Sequence, residues 1–249
     1  MKEWDIDFFN QKEFEKIISD VVDIYLKSIE NYIKKFDKNL IDPIKISFDS
    51  IVYNKSISQV INEEINRQID KTNNNAIGLF NQNIFKLIRN CKVPEKGFDV
   101  IYFDEKNNKT IYAEIKNKWN TMNSAATESI FKKMISKVNE NPNNICYLVQ
   151  IISKKSKNIE WKLKGISNPK IRILSVDHFY AEVTKDPFAF KKICYWLPII
   201  IKEIIENKKS FIEITKVINT YYLEKTFSLN NLFTKTFSDY LGFKKNDNN

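Results

Sequence analysis

Two short apolar runs carry charged residues where strand interiors are expected, and this feature most constrains the fold. Residues 97–124 are "GFDVIYFDEKNNKTIYAEIKNKWNTMNS". The runs 98–103 and 110–116 are rich in β-branched and aromatic residues, and the turn-forming "DEKNNK" between them predicts a β-hairpin. Asp, Glu and Lys are poor strand formers, and a buried charge without a partner is costly. Asp99, Glu114 and Lys116 therefore require a chemical reason for their positions.

The register of this hairpin decides which charged residues meet. A turn at Asn107 and Asn108 predicts that Asp99 lies opposite Lys116 and that Ile101 lies opposite Glu114. Opposite residues share a sheet face, so Asp99, Glu114 and Lys116 are expected to cluster. The other face is expected to pack on a helix through Ile111, Ala113 and Ile115. A slip of one residue would separate the charged side chains of the two strands.

Two carboxylates beside one ammonium suit a Mg²⁺ site, because Mg²⁺ prefers oxygen ligands and keeps several waters. Asp99 and Glu114 are the candidate ligands, and the backbone carbonyl of Ile115 is a third. A metal there would neutralise phosphate charge and lower the pKa of a bound water. Lys116 would orient or deprotonate that water, or stabilise the charge that builds on phosphorus.

The motif Glu-x-Lys is weak by itself, since it occurs three times in the chain, beginning at Glu114, Glu160 and Glu206. Glu206 falls at the end of an amphipathic helix, where a solvated pair is expected. Glu160 lies in a lysine-rich segment without an acid-bearing strand just upstream. Only Glu114 follows a strand that carries an acid, and a structural Asp–Lys ion pair across the hairpin is the alternative for it.

Helical periodicity surrounds the hairpin. Helices are predicted at 11–36, from Ser56 or Ser58 to about Ile69 with "DKTNNN" as a break or bend, and at 76–90. Asn123 or Ser124 is expected to cap a further helix to about Glu140. Strands are predicted at 145–152 and 171–176, and helices from Asp177 onward. This order predicts one α/β domain over 1–249, with a helical part at about 1–90, a core at about 76–176 and a helical part at 177–249.

The charge of the chain is basic and unevenly distributed. The net charge is +9 and the pI is about 9.2. Residues 132–170 contain nine lysines and two acids, whereas the first thirty residues contain four lysines and eight acids. Concentrated positive charge predicts a phosphate-facing surface and a polyanionic partner. The alternatives are a solvated lysine-rich loop and the codon bias of an A+T-rich genome.

Several protein classes are disfavoured. The three cysteines are widely spaced and form no disulfide or metal-site pattern. The N-terminus has no signal-peptide pattern, and the longest apolar run, "ICYWLPIII", is far shorter than the roughly 18 residues of a membrane span. We therefore expect a cytoplasmic protein without a membrane partner. A single histidine, His178, argues against an HNH-type nuclease and a Ser-His-Asp hydrolase.

The motif and its surroundings resemble known nucleases. Asp99 followed by Glu114-Ile-Lys116 resembles the PD-(D/E)xK nuclease superfamily, with Phe in place of Pro before the Asp. The strings "IGLFNQNIF", "VPEKGFDV" and "IYAEIKNKWNTMNS" are similar to the Eco47II/Sau96I-type family of type II restriction endonucleases. The similarity covers 76–134 and continues more loosely through "SVDHFYAEVTKDPFAFKKICYWLP". It implies a restriction-endonuclease-like core, in which a mixed central sheet is flanked by helices.

The resemblance implies an activity and partners. It implies Mg²⁺-dependent cleavage of both strands of double-stranded DNA at a short palindrome, GGNCC-like or GGWCC-like, by a homodimer. The products would carry 5′-phosphates. A cognate DNA methyltransferase would be encoded nearby, since a restriction enzyme needs its own DNA protected.

The resemblance also assigns residues. Asp99 and Glu114 would bind metal, with the Ile115 carbonyl, and Lys116 would be the catalytic lysine. Gln82 matches a family glutamine and would support the site. Glu63 or Glu64 is the candidate for the helix-borne carboxylate that superfamily members often add, with a solvated surface role as the alternative. The residues expected near the DNA are Lys118, Asn120, Thr121, Asn123 and Ser124.

The chain departs from the family pattern at Trp119, where the family has a histidine. Two other functions stay open at this point. One is a PD-(D/E)xK nuclease that acts in repair or on branched DNA. The other is a catalytically silent DNA-binding module that retains the fold, although such a protein has no reason to hold three charges on a core hairpin.

Overall fold

A computed structural model describes residues 3–35 and 42–208 of the chain. Their contacts divide them into two compact units. The first contains residues 3–21 and 76–204, and the second contains residues 22–35, 42–75 and 205–208. The prediction of a single domain over the whole chain stays a prediction.

The first unit is built on a six-stranded mixed sheet with the order β1-β2-β3-β4-β6-β5. The β2–β3 hairpin is antiparallel, whereas β3–β4 and β4–β6 are parallel. Helices flank the sheet, so the predicted α/β class is confirmed. The strands are β1 Cys91–Lys92, β2 Val100–Asp104, β3 Lys109–Lys118, β4 Asn144–Ile152, β5 Asn158–Leu163 and β6 Ile166–Ser175.

Six α-helices lie in the described part of the chain. A short 3₁₀ turn, Ile84–Leu87, follows the third helix. The helix predicted at 11–36 is confirmed over 11–35, and the helix predicted from Asn123 or Ser124 to Glu140 is confirmed. Helical structure after Asp177 is confirmed up to residue 206, and residues 209–249 lie outside the described residues. The helices are α1 Gln11–Lys35, α2 Pro43–Val52, α3 Ile57–Asn83, α4 Ser124–Glu140, α5 Val176–Thr184 and α6 Ala189–Glu206.

A break or a bend was predicted at "DKTNNN", and the break is wrong, because α3 runs through the segment without interruption. The segment contains neither Pro nor Gly, and Asn costs only about 0.7 kcal/mol or less in a helix interior. Ser28 on α1 donates a hydrogen bond to the Asn73 side chain at 3.2 Å, which favours the helical path. Tertiary contact outweighs the weak local preference.

Sequence analysis missed α2 and the strands β1 and β5. The signal for α2 was present as Asp42-Pro43. The Asp42 side chain accepts hydrogen bonds from the N–H groups of Ile44 and Lys45, and Pro occupies the first helical position. β5 pairs with β6 at one edge of the sheet. It lies within the lysine-rich segment 132–170, whose composition obscured the strand pattern.

The two sheet faces are covered differently. On one face α4 packs through Phe131, Met134 and Val138 against a buried cluster that includes Leu148 and Trp161. On the other face α5 packs against β4 and β6, with Phe179 edge-on to Tyr147 at 6.3 Å between ring centroids. The face predicted to be apolar is buried, at Ile111, Ala113 and Ile115.

The helices of the described residues were compared with the length and hydropathy that a membrane span needs. Within residues 3–35 and 42–208, no helix is both long enough and apolar enough to cross a membrane.

Candidate active site

The β2–β3 hairpin determines which charged residues meet, and its register differs from the prediction. Val100 pairs with Ala113 and Asp104 pairs with Lys109, so the predicted pairing of Asp99 with Lys116 is wrong by two residues. The turn comprises residues 105–108, one residue earlier than predicted. Asp104, the last residue of β2, accepts hydrogen bonds from the backbone and side chain of Asn107, which fixes this turn. Because strand side chains alternate with a period of two, a two-residue shift leaves every side chain on its predicted face.

Asp99 lies immediately before β2 and is held at both carboxylate oxygens. Oδ2 accepts the Ile115 N–H at 2.7 Å, and Oδ1 accepts from Gln82 Nε2 at 2.9 Å. Burial raises the pKa of Asp99 above its ordinary value, and nearby Glu114 acts in the same direction. The Ile115 N–H and the ammonium of Lys116 oppose the increase. Asp99 is therefore a fixed carboxylate in a partly desolvated position.

Glu114 lies in β3 with only 11% of its side chain exposed. Its Oε1 accepts from Lys116 Nζ at 2.9 Å, and its Oε2 accepts from Lys133 Nζ at 3.0 Å. Lys133 belongs to α4 and was not identified in the sequence, where nothing distinguishes it from the other lysines of 132–170. The two ammonium groups compensate a carboxylate that would otherwise be costly to bury.

The donor set suits a hard divalent cation. Asp99 and Glu114 would supply carboxylates, and Ile115, between Glu114 and Lys116, would supply a backbone carbonyl. Among the described residues no group of three or more His, Cys, Asp or Glu could hold a metal ion. Two carboxylates with a carbonyl would suit Mg²⁺, which typically binds one or two protein carboxylates and keeps several waters.

The two predicted supporting residues have different surroundings. Gln82, in the last turn of α3, donates directly to Asp99. Glu64 belongs to the second unit and accepts two hydrogen bonds from Arg67 and one from Gln68. Its neighbour Glu63 pairs with Lys55. A supporting role for Glu64 stays a prediction.

The residues predicted to lie near DNA follow the carboxyl end of β3. Lys118 is exposed at the end of the strand, and Asn120 is exposed just beyond it. The Thr121 hydroxyl donates to the Lys118 carbonyl at 2.9 Å. Asn123 is the N-cap of α4 and accepts the Ala126 N–H at 2.8 Å, and Ser124 is the first helical residue. These residues form the link from the site-bearing strand to α4.

Further lysines lie at the carboxyl end of β4, which neighbours the end of β3. Lys154 lies over the half-exposed Trp119 ring, with Nζ 4.2 Å from its centroid. Burial lowers the pKa of Lys157, and the charges of Lys154 and Lys155 lower it further. Within the described part of the chain none of these three lysines forms an ion pair. The cluster of Lys154, Lys155 and Lys157 is therefore uncompensated positive charge.

The lysine-rich segment 132–170 as a whole is not one such surface. Lys137 pairs with Glu140, and Lys164 pairs with Glu128. Lys170 donates to the Pro142 carbonyl. The second Glu-x-Lys motif lies in β5, where Glu160 is opposite Arg172. Only part of the positive charge of segment 132–170 is therefore without a compensating partner.

A mixed sheet flanked by helices, with Glu114 and Lys116 in β3 and Asp99 immediately before β2, is consistent with the restriction-endonuclease-like core that the sequence predicted. The chain belongs to the Eco47II restriction endonuclease family, whose model matches residues 6–206. The predicted family is thereby confirmed, together with its consequence that the protein is an enzyme that cleaves DNA at specific sites.

Two relatives are similar over most of their length. The type II restriction enzyme Sau96I of Staphylococcus aureus is 33% identical over 218 residues, which cover 82% of this chain and 83% of that enzyme. The type II restriction enzyme Eco47II of Escherichia coli is 29% identical over 188 residues, which cover 70% of this chain and 77% of that enzyme.

Proposed function

We propose that this protein is a type II enzyme that cuts both strands of a short palindromic site in double-stranded DNA by Mg²⁺-dependent phosphodiester hydrolysis. The proposed site is GGNCC-like or GGWCC-like, by resemblance, and the products carry 5′-phosphates. The observation that carries the proposal is the joint placement of Asp99, Glu114 and Lys116, with Lys116 Nζ 2.9 Å from Glu114 Oε1. Family membership supports the reaction class.

Asp99, Glu114 and the Ile115 carbonyl would hold the metal in this proposal. When bound, such an ion neutralises phosphate charge and lowers the pKa of a coordinated water. Ile115 serves Asp99 as well, because its N–H donates to the Asp99 carboxylate at 2.7 Å. This bond and the Gln82 amide fix the carboxylate before DNA arrives, so no reorganisation is needed at that step.

Lys116 is the residue proposed to act on the reacting groups. An ammonium has three N–H donors, and the bond to Glu114 uses one of them. The others are available to orient the attacking water or to stabilise negative charge on the phosphoryl oxygens. Glu114 thus both contributes an oxygen to the metal set and aims the lysine.

The carboxyl ends of β3 and β4 are the proposed DNA-facing edge. Lys118 and the cluster of Lys154, Lys155 and Lys157 lie there with exposed Trp119. Ammonium groups without ion pairs suit phosphate contacts, which position a protein on DNA without reading sequence. Base reading is proposed for the polar residues that follow β3, which are Asn120, Thr121, Asn123 and Ser124.

A palindromic site implies two-fold symmetry in its reader, so the proposed active form is a homodimer. The proposal also includes a cognate DNA methyltransferase encoded nearby, which would protect the host's own sites. A neighbouring methyltransferase reading frame and the mass of the complex in solution are independent checks.

The test is incubation of purified protein with plasmid DNA and Mg²⁺. Wild type should give discrete fragments, and Lys116→Ala should lower the rate by at least about 100-fold because one transition-state stabiliser is lost. Lys162→Ala is the matched control, since it removes the lysine of the second Glu-x-Lys motif, and it should cut normally. Fragment ends should accept ligation without prior phosphorylation.

Two results would overturn the proposal. Absence of cleavage by wild type in both Mg²⁺ and Mn²⁺, with tight DNA binding, would indicate a silent DNA-binding module. Cleavage restricted to branched or damaged DNA would indicate a repair nuclease.

A further inference from the structure

We propose that Lys133 is a positioning residue of the catalytic site, which fixes the Glu114 carboxylate and the segment that leads into Asp99. Its Nζ lies 3.0 Å from Glu114 Oε2 and 2.7 Å from the Gly97 carbonyl oxygen. The same ammonium lies 4.1 Å from the centroid of the Phe98 ring. This inference rests on the proposed function, because it concerns the same reaction.

Lys133 projects from a well-anchored element. Its helix, α4, is capped by Asn123 and buries Phe131 and Met134, the residues on either side of Lys132 and Lys133. The backbone of Lys133 is therefore fixed by packing against the sheet. Sites carried on packed helices and strands hold their geometry better than sites on loops.

The two lysines divide the oxygens of Glu114 between them. Lys116 contacts Oε1 from the same strand, and Lys133 contacts Oε2 from α4. Because Lys133 occupies Oε2, the carboxylate cannot rotate freely and Lys116 is confined to Oε1. Loss of Lys133 would leave the largely buried Glu114 carboxylate with Lys116 as its one ammonium partner. The carboxylate would then compete with the substrate for Lys116.

Lys133 also reaches the segment before Asp99. Gly97 has a φ of 102°, a left-handed conformation that favours glycine, and its carbonyl accepts from Lys133. Phe98 is buried beneath the same ammonium and packs against Tyr112 at 5.3 Å between ring centroids. One side chain thus connects α4 to both carboxylates, directly at Glu114 and through residues 97 and 98 at Asp99.

Lys132 provides a matched control. It is adjacent on the same helix, carries the same charge, and is exposed rather than directed to the site. Lys132→Met and Lys133→Met change net charge and helix propensity equally. They differ in the contacts with Glu114, Gly97 and Phe98.

The experiment compares steady-state cleavage of site-containing DNA by wild type, Lys133→Met, Lys133→Arg and Lys132→Met. Lys133→Met should lower kcat by about 10- to 100-fold, the usual effect of losing a partner of a metal-ligating group. Its KM for DNA should stay within about threefold of wild type, because Lys133 binds protein groups rather than phosphate. Lys133→Arg should restore kcat to within about fivefold, since Arg can also donate to both acceptors.

A second readout does not depend on activity. Hydrogen exchange of residues 95–99 and 114–116, measured without metal or DNA, should be faster in Lys133→Met and unchanged in Lys132→Met. Thermal unfolding verifies that each variant is folded, and Lys133→Gln, which keeps a donor without the charge, replaces Lys133→Met if that variant does not fold.

The outcomes separate the two proposals. If wild type cuts and Lys133→Met matches Lys132→Met in kcat, the role of Lys133 is overturned and the proposed function stands. A loss of kcat that Arg does not restore, or one without faster exchange, also overturns the role. If wild type does not cut in Mg²⁺ or Mn²⁺, the proposed function fails. The hydrogen-exchange measurement then still shows whether Lys133 fixes residues 95–99 and 114–116.

Discussion

At the scale of the residue, the site is a set of carboxylates whose oxygens are individually engaged. Asp99 is held by Gln82 and the Ile115 N–H, and Glu114 is held by Lys116 and Lys133. Each donor comes from a different position in the chain. Preorganisation of this kind reduces the cost of ordering ligands when a cation or substrate binds.

Gln82 offers a test of this preorganisation. Gln82→Met removes the amide that donates to Asp99 Oδ1 while it keeps the side-chain length. A hydrogen bond to a charged group is worth about 1.5–3 kcal/mol, and 1.4 kcal/mol corresponds to a factor of 10, so cleavage should slow by about 10- to 100-fold. Single-turnover cleavage at saturating protein is the measurement.

The neighbouring Asn81→Ala serves as the control for Gln82, since Asn81 also lies near the end of α3 and makes no contact with Asp99 among those described. Its rate should equal that of wild type. Wild-type cleavage by Gln82→Met would show that the Gln82 amide contributes nothing to Asp99.

At the scale of the element, the link between β3 and α4 has a structural role beside any contact with DNA. β3 carries Glu114 and Lys116, and α4 carries Lys133. The segment that joins them ends in Asn123, whose side chain caps α4. The helix start therefore influences where Lys133 stands relative to Glu114.

Asn123→Ala should lower the free energy of unfolding by about 1 kcal/mol, because the Ala126 N–H loses its capping acceptor. Asn123→Ser should retain most of that stability, since Ser caps about as well as Asn. Urea-induced unfolding measures the difference. Asn120→Ala, at an exposed position of the same segment, should change stability by no more than about 0.5 kcal/mol; equal stabilities for Asn123→Ala and wild type would contradict the capping role.

At the scale of the whole molecule, the net charge of +9 is less informative than where charge stays uncompensated. Four of the nine lysines of 132–170 are engaged with acids or carbonyls, namely Lys133, Lys137, Lys164 and Lys170. The segment between β4 and β5 holds three lysines that form no ion pair within the described residues: Lys154, Lys155 and Lys157. They lie at the carboxyl end of β4, beside the carboxyl end of β3, the strand that carries Glu114 and Lys116. Long-range attraction of DNA should therefore depend on this cluster.

Replacing Lys154, Lys155 and Lys157 by Gln together should weaken DNA binding and its salt dependence. Each lost phosphate contact reduces the magnitude of the negative slope of log K against log salt concentration by about 1. The slope of the triple variant should therefore be shallower by about 2–3. Binding is measured without divalent metal in a Lys116→Ala background to prevent cleavage.

The control is a triple variant of Lys137, Lys164 and Lys170 to Gln, which removes the same charge from the same segment. These lysines are engaged with Glu140, Glu128 and the Pro142 carbonyl. The control should leave the salt slope within about 1 of wild type. Equal slopes for the two triple variants would show that net charge, rather than the cluster, determines DNA affinity.

Features that depend on local spacing were predictable from the sequence. The charged residues of the hairpin, the capped start of α4 and the amphipathic α1 follow from side-chain periods of 2 and 3.6 within one element. The predicted register of the hairpin was wrong by two residues, but each side chain still lies on its predicted sheet face, because side chains alternate with a period of two. Predicted strands at 145–152 and 171–176 correspond to β4 and β6 for the same local reason.

Contacts between residues far apart in the chain could not be predicted from the sequence, because they form only when the elements pack together. Gln82 reaches Asp99, and Lys133 reaches both Glu114 and Gly97, across separations that no single-element period encodes. The parallel pairing of β3 with β4 and of β4 with β6 likewise depends on where α4 and β5 pack. Side-chain contacts between elements are selected by packing and burial of the whole unit, so one lysine among nine becomes a partner of Glu114 only when the fold is formed.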